Sequence, residues 1–241
     1  MDIIRVKDYN ELSEKASQLV VGQVKTAIHS VLGLATGSTP EGLYQQLIEQ
    51  YKQGNVSFKP LTTFNLDEYV GLSDDDPNSY RYYMNDKLFN HIDLPEQRAF
   101  LPNGDAADLE NECRDYEAMI RDAGHIDLQI LGLGLNGHIG FNEPGTPFDR
   151  RTHIVDLDES TREANARFFP SMDDVPRKAI TMGIGTIMDS KKIVLLVSGE
   201  KKADAVSKLV NGEVTETFPA SILQKHENVT IVADEGALSK V

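Results

Sequence analysis

The sequence predicts an α/β architecture: an open, mainly parallel sheet with helices on both faces, in a single domain spanning residues 1–241. Three observations lead there. Short β-rich apolar runs alternate with amphipathic stretches along the whole chain. The intervening stretches have about ten residues or more, the length of right-handed helical crossovers between parallel strands. The 241 residues, 40% hydrophobic and 26% charged, can bury one sizeable core, and no internal repeat, low-complexity tract or Pro/Ser-rich linker divides them.

The elements follow in order. A strand at Ile3 to Val6 precedes a helical pattern from about Tyr9 to His29, and Val31 to Ala35 completes a β-α-β opening. A helix from Pro40 to about Gln53 leads to a strand at Leu61 to Asn65. Helices near Ser79 to Phe89 and Leu109 to Asp122 precede the strand Ile126 to Leu131. After a long loop come a strand near His153 to Val155, a short helix near Arg162, a helix-like segment at Gly183 to Met188 and the strand Lys192 to Val197. A helix at Lys201 to Val210, a short one near Ala220 and the strand Val229 to Ala233 close the chain. The polar stretch Ser73 to Asn78 reads as a surface loop capping the helix after it.

Charge narrows the range of partners. With 38 acidic and 24 basic side chains the formal charge is −14, which disfavours nucleic acid and anionic membranes as principal partners. A small anionic ligand needs only a local cluster of cations and backbone N–H groups. Cys113 is the sole cysteine, so no internal disulfide or multi-cysteine zinc site is expected, and a packed, inert thiol in a reducing compartment is the natural reading. The start Met1-Asp2-Ile3-Ile4-Arg5-Val6 has neither a basic region nor a long apolar stretch, so a cytoplasmic location is expected.

In a parallel sheet ligands gather outside the carboxyl ends of the strands, so functional residues are sought just after strands. Four places qualify. In Leu34-Ala35-Thr36-Gly37-Ser38-Thr39-Pro40-Glu41 a strand turns through small residues into a helix, with Thr39 expected at the N-cap and Pro40 at N1. Ordinary capping explains this run; a phosphate held by Gly37, Ser38 and Thr39 at the positive helix end explains it equally well. No Walker lysine is present.

In Thr63-Phe64-Asn65-Leu66-Asp67-Glu68-Tyr69 a strand runs into a carboxylate. Asp67 reads either as a solvated turn residue or as a group that shuttles a proton between adjacent sugar carbons. The third place is Gly132-Leu133-Gly134-Leu135-Asn136-Gly137-His138-Ile139-Gly140-Phe141-Asn142-Glu143-Pro144-Gly145. It spells a dinucleotide fingerprint, with Asp156 nineteen residues beyond Gly137, yet Gly140, Pro144, Gly145 and Pro147 oppose the helix that fingerprint requires. What remains is a glycine-rich loop, Gly137 included, bringing Asn136, His138 and Glu143 to one strand end. His29, His91, His125 and His226 read as structural or exposed, whereas His138 has an amide two residues before it and a carboxylate five after it. One imidazole with loosely spaced carboxylates lacks metal-ligand spacing, so no metal is expected. The fourth place is a pair of cations, Arg167 and Lys202. Lys202 lies at a helix start, where a cation opposes the dipole unless an anion is present.

These segments, in this order, resemble the glucosamine-6-phosphate deaminase family. The resemblance rests on Ala35 to Pro40, Phe64 to Tyr69, Gly132 to Gly134, Gly137 to Pro144, Ala164 to Phe169 and Lys202-Ala203, and runs through nearly the whole chain. The more distant 6-phosphogluconolactonases share the fold and phosphate site. The family implies a Rossmann-like sheet and a reaction turning glucosamine 6-phosphate and water into fructose 6-phosphate and ammonia. It implies a phosphate anchored by Ser38, Thr39, Arg167 and Lys202, ring opening by His138 with Asn136 and Glu143 positioning it, and proton transfer from C2 to C1 by Asp67. No metal or organic cofactor is implied.

Two departures matter. Some members carry Asp where this chain has Asn136, which leaves Glu143 to orient His138. Hexameric members activated by N-acetylglucosamine 6-phosphate carry Arg and Lys where His153 and Val155 stand here, and have a longer C-terminus. A monomer or small homo-oligomer with weak or absent activation is therefore expected. The rivals are a phosphosugar lactonase or simple isomerase of the same fold, and a phosphosugar-sensing domain of a transcription regulator. The sensing domain is disfavoured by the acidity and by the lack of room for a helix-turn-helix before Ile3.

Overall fold

A computed structural model describes residues 1–166 and 169–241. The chain runs β1 (Asp2–Val6), α1 (Tyr9–Thr26), β2 (Val31–Leu34), α2 (Glu41–Lys52), β3 (Thr62–Asn65), β4 (Asp67–Tyr69), α3 (Tyr80–Lys87), β5 (Ala99–Phe100), α4 (Leu109–Asp122) and β6 (Leu128–Gly132). It continues with β7 (His153–Asp156), α5 (Glu159–Asn165), β8 (Lys178–Thr181), α6 (Ile184–Met188), β9 (Ile193–Val197), α7 (Ala203–Asn211) and β10 (Val229–Asp234).

Seven strands form one parallel sheet in the order β1-β10-β9-β6-β2-β3-β5, flanked by helices. The central strands β2 and β9 are buried at every residue, as Val31-Leu32-Gly33-Leu34 and Ile193-Val194-Leu195-Leu196-Val197 require when both sheet faces are covered. Each fully buried Leu, Ile or Val contributes about 2 kcal/mol relative to exposure. The sheet is blunted at its edges by β1, largely exposed, and by the two-residue β5.

From β2 the chain winds toward β3 and β5, whereas from β6 it winds toward β9 and β10, with the first strand, β1, lying beyond β10 at that edge. The adjacent strands β2 and β6 thus feed crossovers in opposite directions, and a crevice opens between their carboxyl ends.

A second sheet, β4-β8-β7, is antiparallel. The sequence reading missed β4 and β8, and also the short edge strand β5 of the first sheet. Only Leu66 separates β3 from β4, so the two merge in the pattern, and β8 spans just four residues. Helix caps also moved. The N-cap of α2 is Pro40, not Thr39, with no side-chain cap; the Tyr9 hydroxyl accepts the Gly42 N–H instead (2.8 Å). The cap of α3 is Ser79, whose hydroxyl accepts from the Tyr82 N–H, with the Glu68 carboxylate accepting the Tyr80 and Arg81 N–H groups. Cys113 is buried in α4, and burial pushes its thiol up to about 11, consistent with an inert packed side chain. No described helix is long and apolar enough to cross a membrane.

Candidate active site

The crevice is a cavity of about 530 Å³. Its walls include Gly37 and Thr39 after β2, Asp67 after β3, Asn136 and His138 after β6, and Lys202 after β9. Four loops that are far apart in sequence therefore meet there because their strands are neighbours in the sheet.

Asp67 opens β4 and is 6% exposed. Burial, reinforced by the adjacent Glu68 charge, lifts its carboxyl to about 8. Glu68 is buried too, and burial raises it to about 7, although the Tyr69, Tyr80 and Arg81 N–H groups donate to it and oppose the rise. The two neighbours do different work: Glu68 fastens β4 to the start of α3, while Asp67 faces the cavity.

The loop after β6 folds as an irregular turn, not a helix, so the fingerprint spelling is a coincidence of glycines. Gly134 is required by close approach, since a Cβ there would lie 2.5 Å from the His138 ring; its N–H donates to the His138 carbonyl (2.9 Å). Gly137 has φ +86° and lies against Phe218, outside the cavity wall. The Asn136 side chain accepts the His138 N–H (3.1 Å) and donates to Glu143 Oε2 (2.8 Å). His138 Nδ1, otherwise buried without a hydrogen-bond partner, sits 3.5 Å from the same Oε2. Glu143 Oε1 accepts from the Thr161 hydroxyl of α5 (2.6 Å). Burial raises the Glu143 carboxyl, but His138, Thr161 and Asn136 outweigh it and hold the group below its ordinary value. Glu143 thus stands between the imidazole on one oxygen and the Thr161 hydroxyl on the other.

Lys202 also lines the cavity, at the N-cap of α7, with Nζ donating to the Leu133 carbonyl (2.5 Å). Burial lowers its pKa. Ser38 is exposed and is not among the residues of the cavity wall, and the Tyr9 hydroxyl donates to its carbonyl (3.0 Å). The Gly37 carbonyl accepts from the Tyr83 hydroxyl (2.6 Å). Arg167 lies outside the described residues.

Sequence reasoning missed Thr161 and Asn165, which face the cavity from one side of α5, and Tyr80, which lines it from α3. Their four-residue spacing puts Thr161 and Asn165 on one helix face, but nothing in the sequence says which face meets the cleft. The other histidines behave as expected, with His91 and His226 bonded to the carbonyls of Asp86 and Ser190.

Asp67, the His138–Glu143 pair and Lys202 meet at one cleft outside the carboxyl ends of the parallel strands, the place where an α/β protein binds a small ligand. Residues 7–232 match the family described as glucosamine-6-phosphate isomerases/6-phosphogluconolactonase, and the chain belongs to that family of enzymes. It is 59% identical over 239 residues to the glucosamine-6-phosphate deaminase of Shouchella clausii (strain KSM-K16), covering 99% of this chain and 97% of that one. It is 60% identical over 241 residues to that of Oceanobacillus iheyensis, covering 100% and 96%. A solved structure of a monomeric glucosamine-6-phosphate deaminase is 55% identical, covers all of both chains and superposes with a TM-score of 0.98.

Proposed function

We propose that this enzyme converts glucosamine 6-phosphate and water into fructose 6-phosphate and ammonia, as one catalytic domain over residues 1–241, acting as a monomer or small homo-oligomer in the cytoplasm. The observation that carries the reading is the convergence of Asp67, the His138–Glu143 pair and Lys202 on one cavity.

The phosphate binds among the Gly37–Thr39 turn, the α2 N-terminus, Lys202 and Arg167. His138 then moves the proton from the C1 hydroxyl to the ring oxygen, opening the pyranose, with Asn136 and Glu143 fixing its orientation. Asp67 takes the C2 proton of the open aldose and returns it at C1. The nitrogen, now on a ketose carbon, leaves as ammonia when water adds there. Abstraction of a carbon-bound proton is slow in solution, and anchoring the remote phosphate supplies geometry that the reacting carbons cannot. Only the chain's own acid–base groups take part.

A coupled assay tests the reading. Ammonia and fructose 6-phosphate should appear in equal amounts from glucosamine 6-phosphate. Hydrolysis of 6-phosphogluconolactone with no ammonia release, or binding of fructose 6-phosphate without any turnover, would replace it with the lactonase or sensing alternative.

A further inference from the structure

We propose that Thr161 is a positioning residue for this reaction, through which helix α5 sets the charge and orientation of the His138–Glu143 pair; the inference deepens the function proposed above and rests on it. Glu143, His138 and Asn136 all belong to one loop, and Asn136 ties that loop only to itself. The hydrogen bond from Thr161 Oγ1 to Glu143 Oε1, 2.6 Å, comes from a separate element eighteen residues away. Thr161 is 7% exposed and Glu143 equally buried, so water competes little for this contact.

The geometry assigns the two carboxylate oxygens different tasks. Oε2 faces the ring Nδ1 of His138 and receives the Asn136 amide, while Oε1 is occupied by the Thr161 hydroxyl. A carboxylate held at both oxygens stays ionised and cannot swing away from the imidazole. His138 is the titratable group facing Glu143, from its own loop, whereas α5 contributes the neutral hydroxyl. One turn further along α5, Asn165 reaches the cavity wall. The placement of α5 over the cleft and the readiness of the acid–base pair are thus one structural event.

The experiment compares Thr161→Val with Thr161→Ser in two independent readouts. In ammonia release, Thr161→Val should lower kcat/KM by roughly tenfold or more, the effect of deleting a hydrogen bond to a charged group. The acidic limb of its pH profile should move to higher pH, because Glu143 protonates more readily, and Thr161→Ser should restore both. Binding of the open-chain alcohol glucosaminitol 6-phosphate, which needs no ring opening, should not change. The second readout needs no turnover: carbon-13 titration of the Glu143 carboxyl, assigned with Glu143→Gln, should give a higher pKa in Thr161→Val than in the parent. An unmoved Glu143 titration overturns the proposal, as does a pH-independent loss of activity that serine fails to rescue. A parent enzyme that releases no ammonia but whose Glu143 titration shifts as expected would sink the proposed reaction and leave the Thr161 contact standing.

Discussion

Replacing Asp67 with asparagine should abolish turnover and yet make the protein more stable, and the two effects come from the same cause. The carboxyl is 6% exposed and burial lifts it to about 8, against an ordinary value of 3.8. A carboxyl with a raised folded-state pKa binds its proton more tightly in the folded chain than in the unfolded one. The fold is therefore unpenalised below about pH 4, loses stability as pH rises through the window between the two values, and carries a constant penalty above about pH 8. Each pH unit in that window is worth about 1.4 kcal/mol, so the penalty at pH 7 is on the order of 4 kcal/mol, an upper figure because the cavity admits water. Asparagine has nearly the same shape and never ionises. Thermal unfolding of Asp67→Asn and the parent should give melting temperatures that nearly coincide at pH 4 and separate by several degrees at pH 8, since about 1 kcal/mol moves a chain of this size by 2–4 °C. An Asp67→Asn protein no more stable than its parent at pH 8, or one whose advantage is the same at both pH values, would refute the burial argument. Retained ammonia release would refute the role of Asp67 as base.

Gly134→Ala should fold but lose most of its activity, because the added methyl meets the His138 ring at 2.5 Å and must displace it; an alanine variant with parental kcat/KM would show that the ring position is not critical. The family resemblance implies Arg and Lys, in hexameric activated members, at the positions filled here by His153 and Val155, so rate curves should be hyperbolic and unchanged by N-acetylglucosamine 6-phosphate. Steady-state kinetics with and without that compound, alongside sedimentation of the protein, check both the response and the small assembly size, and a sigmoidal curve made hyperbolic by the compound would overturn the expectation.

The parallel sheet was legible because its strands and helices differ in period, and because β2 and β9 are continuous apolar runs of the kind two-sided burial demands. Asp67, Asn136, His138 and Lys202 were reached by the rule that ligands collect at strand ends, since all four lie within six residues of the end of a strand and line the cavity. The antiparallel sheet was not legible. Pairing of β4 with β8 joins residues more than a hundred positions apart, and a three-residue strand has no period to detect. The caps failed for a related reason: Tyr9 serves α2 and Glu68 serves α3 across distances that a local capping rule does not span. The exposure of Ser38 was not legible, because a turn's sequence indicates that it bends, not which way its side chains leave it.

The unforeseen sheet also explains how two chemically distinct carboxylates share one cleft. In register, Asp67 pairs with Thr181 of β8, and the hydroxyl of the same threonine accepts the Phe141 N–H (3.0 Å) from the loop that carries His138 and Glu143. The buried Asn142 amide donates to Ile139 and to Met182, the residue after β8, so that loop is stapled to the end of β8, the strand paired with Asp67's own β4. With their separation fixed in this way, the two acids are set apart by their donors. Glu143 receives hydrogen bonds at both oxygens and an imidazole nearby, which keep it ionised as an orienting group. Asp67 is buried beside another acid and faces the cavity, so it binds a proton far more readily. A carboxyl that exchanges its proton near neutral pH is suited to carry one between two carbons, whereas one held ionised is suited to aim an imidazole, and that division follows from the environment of each side chain, both being plain carboxylic acids.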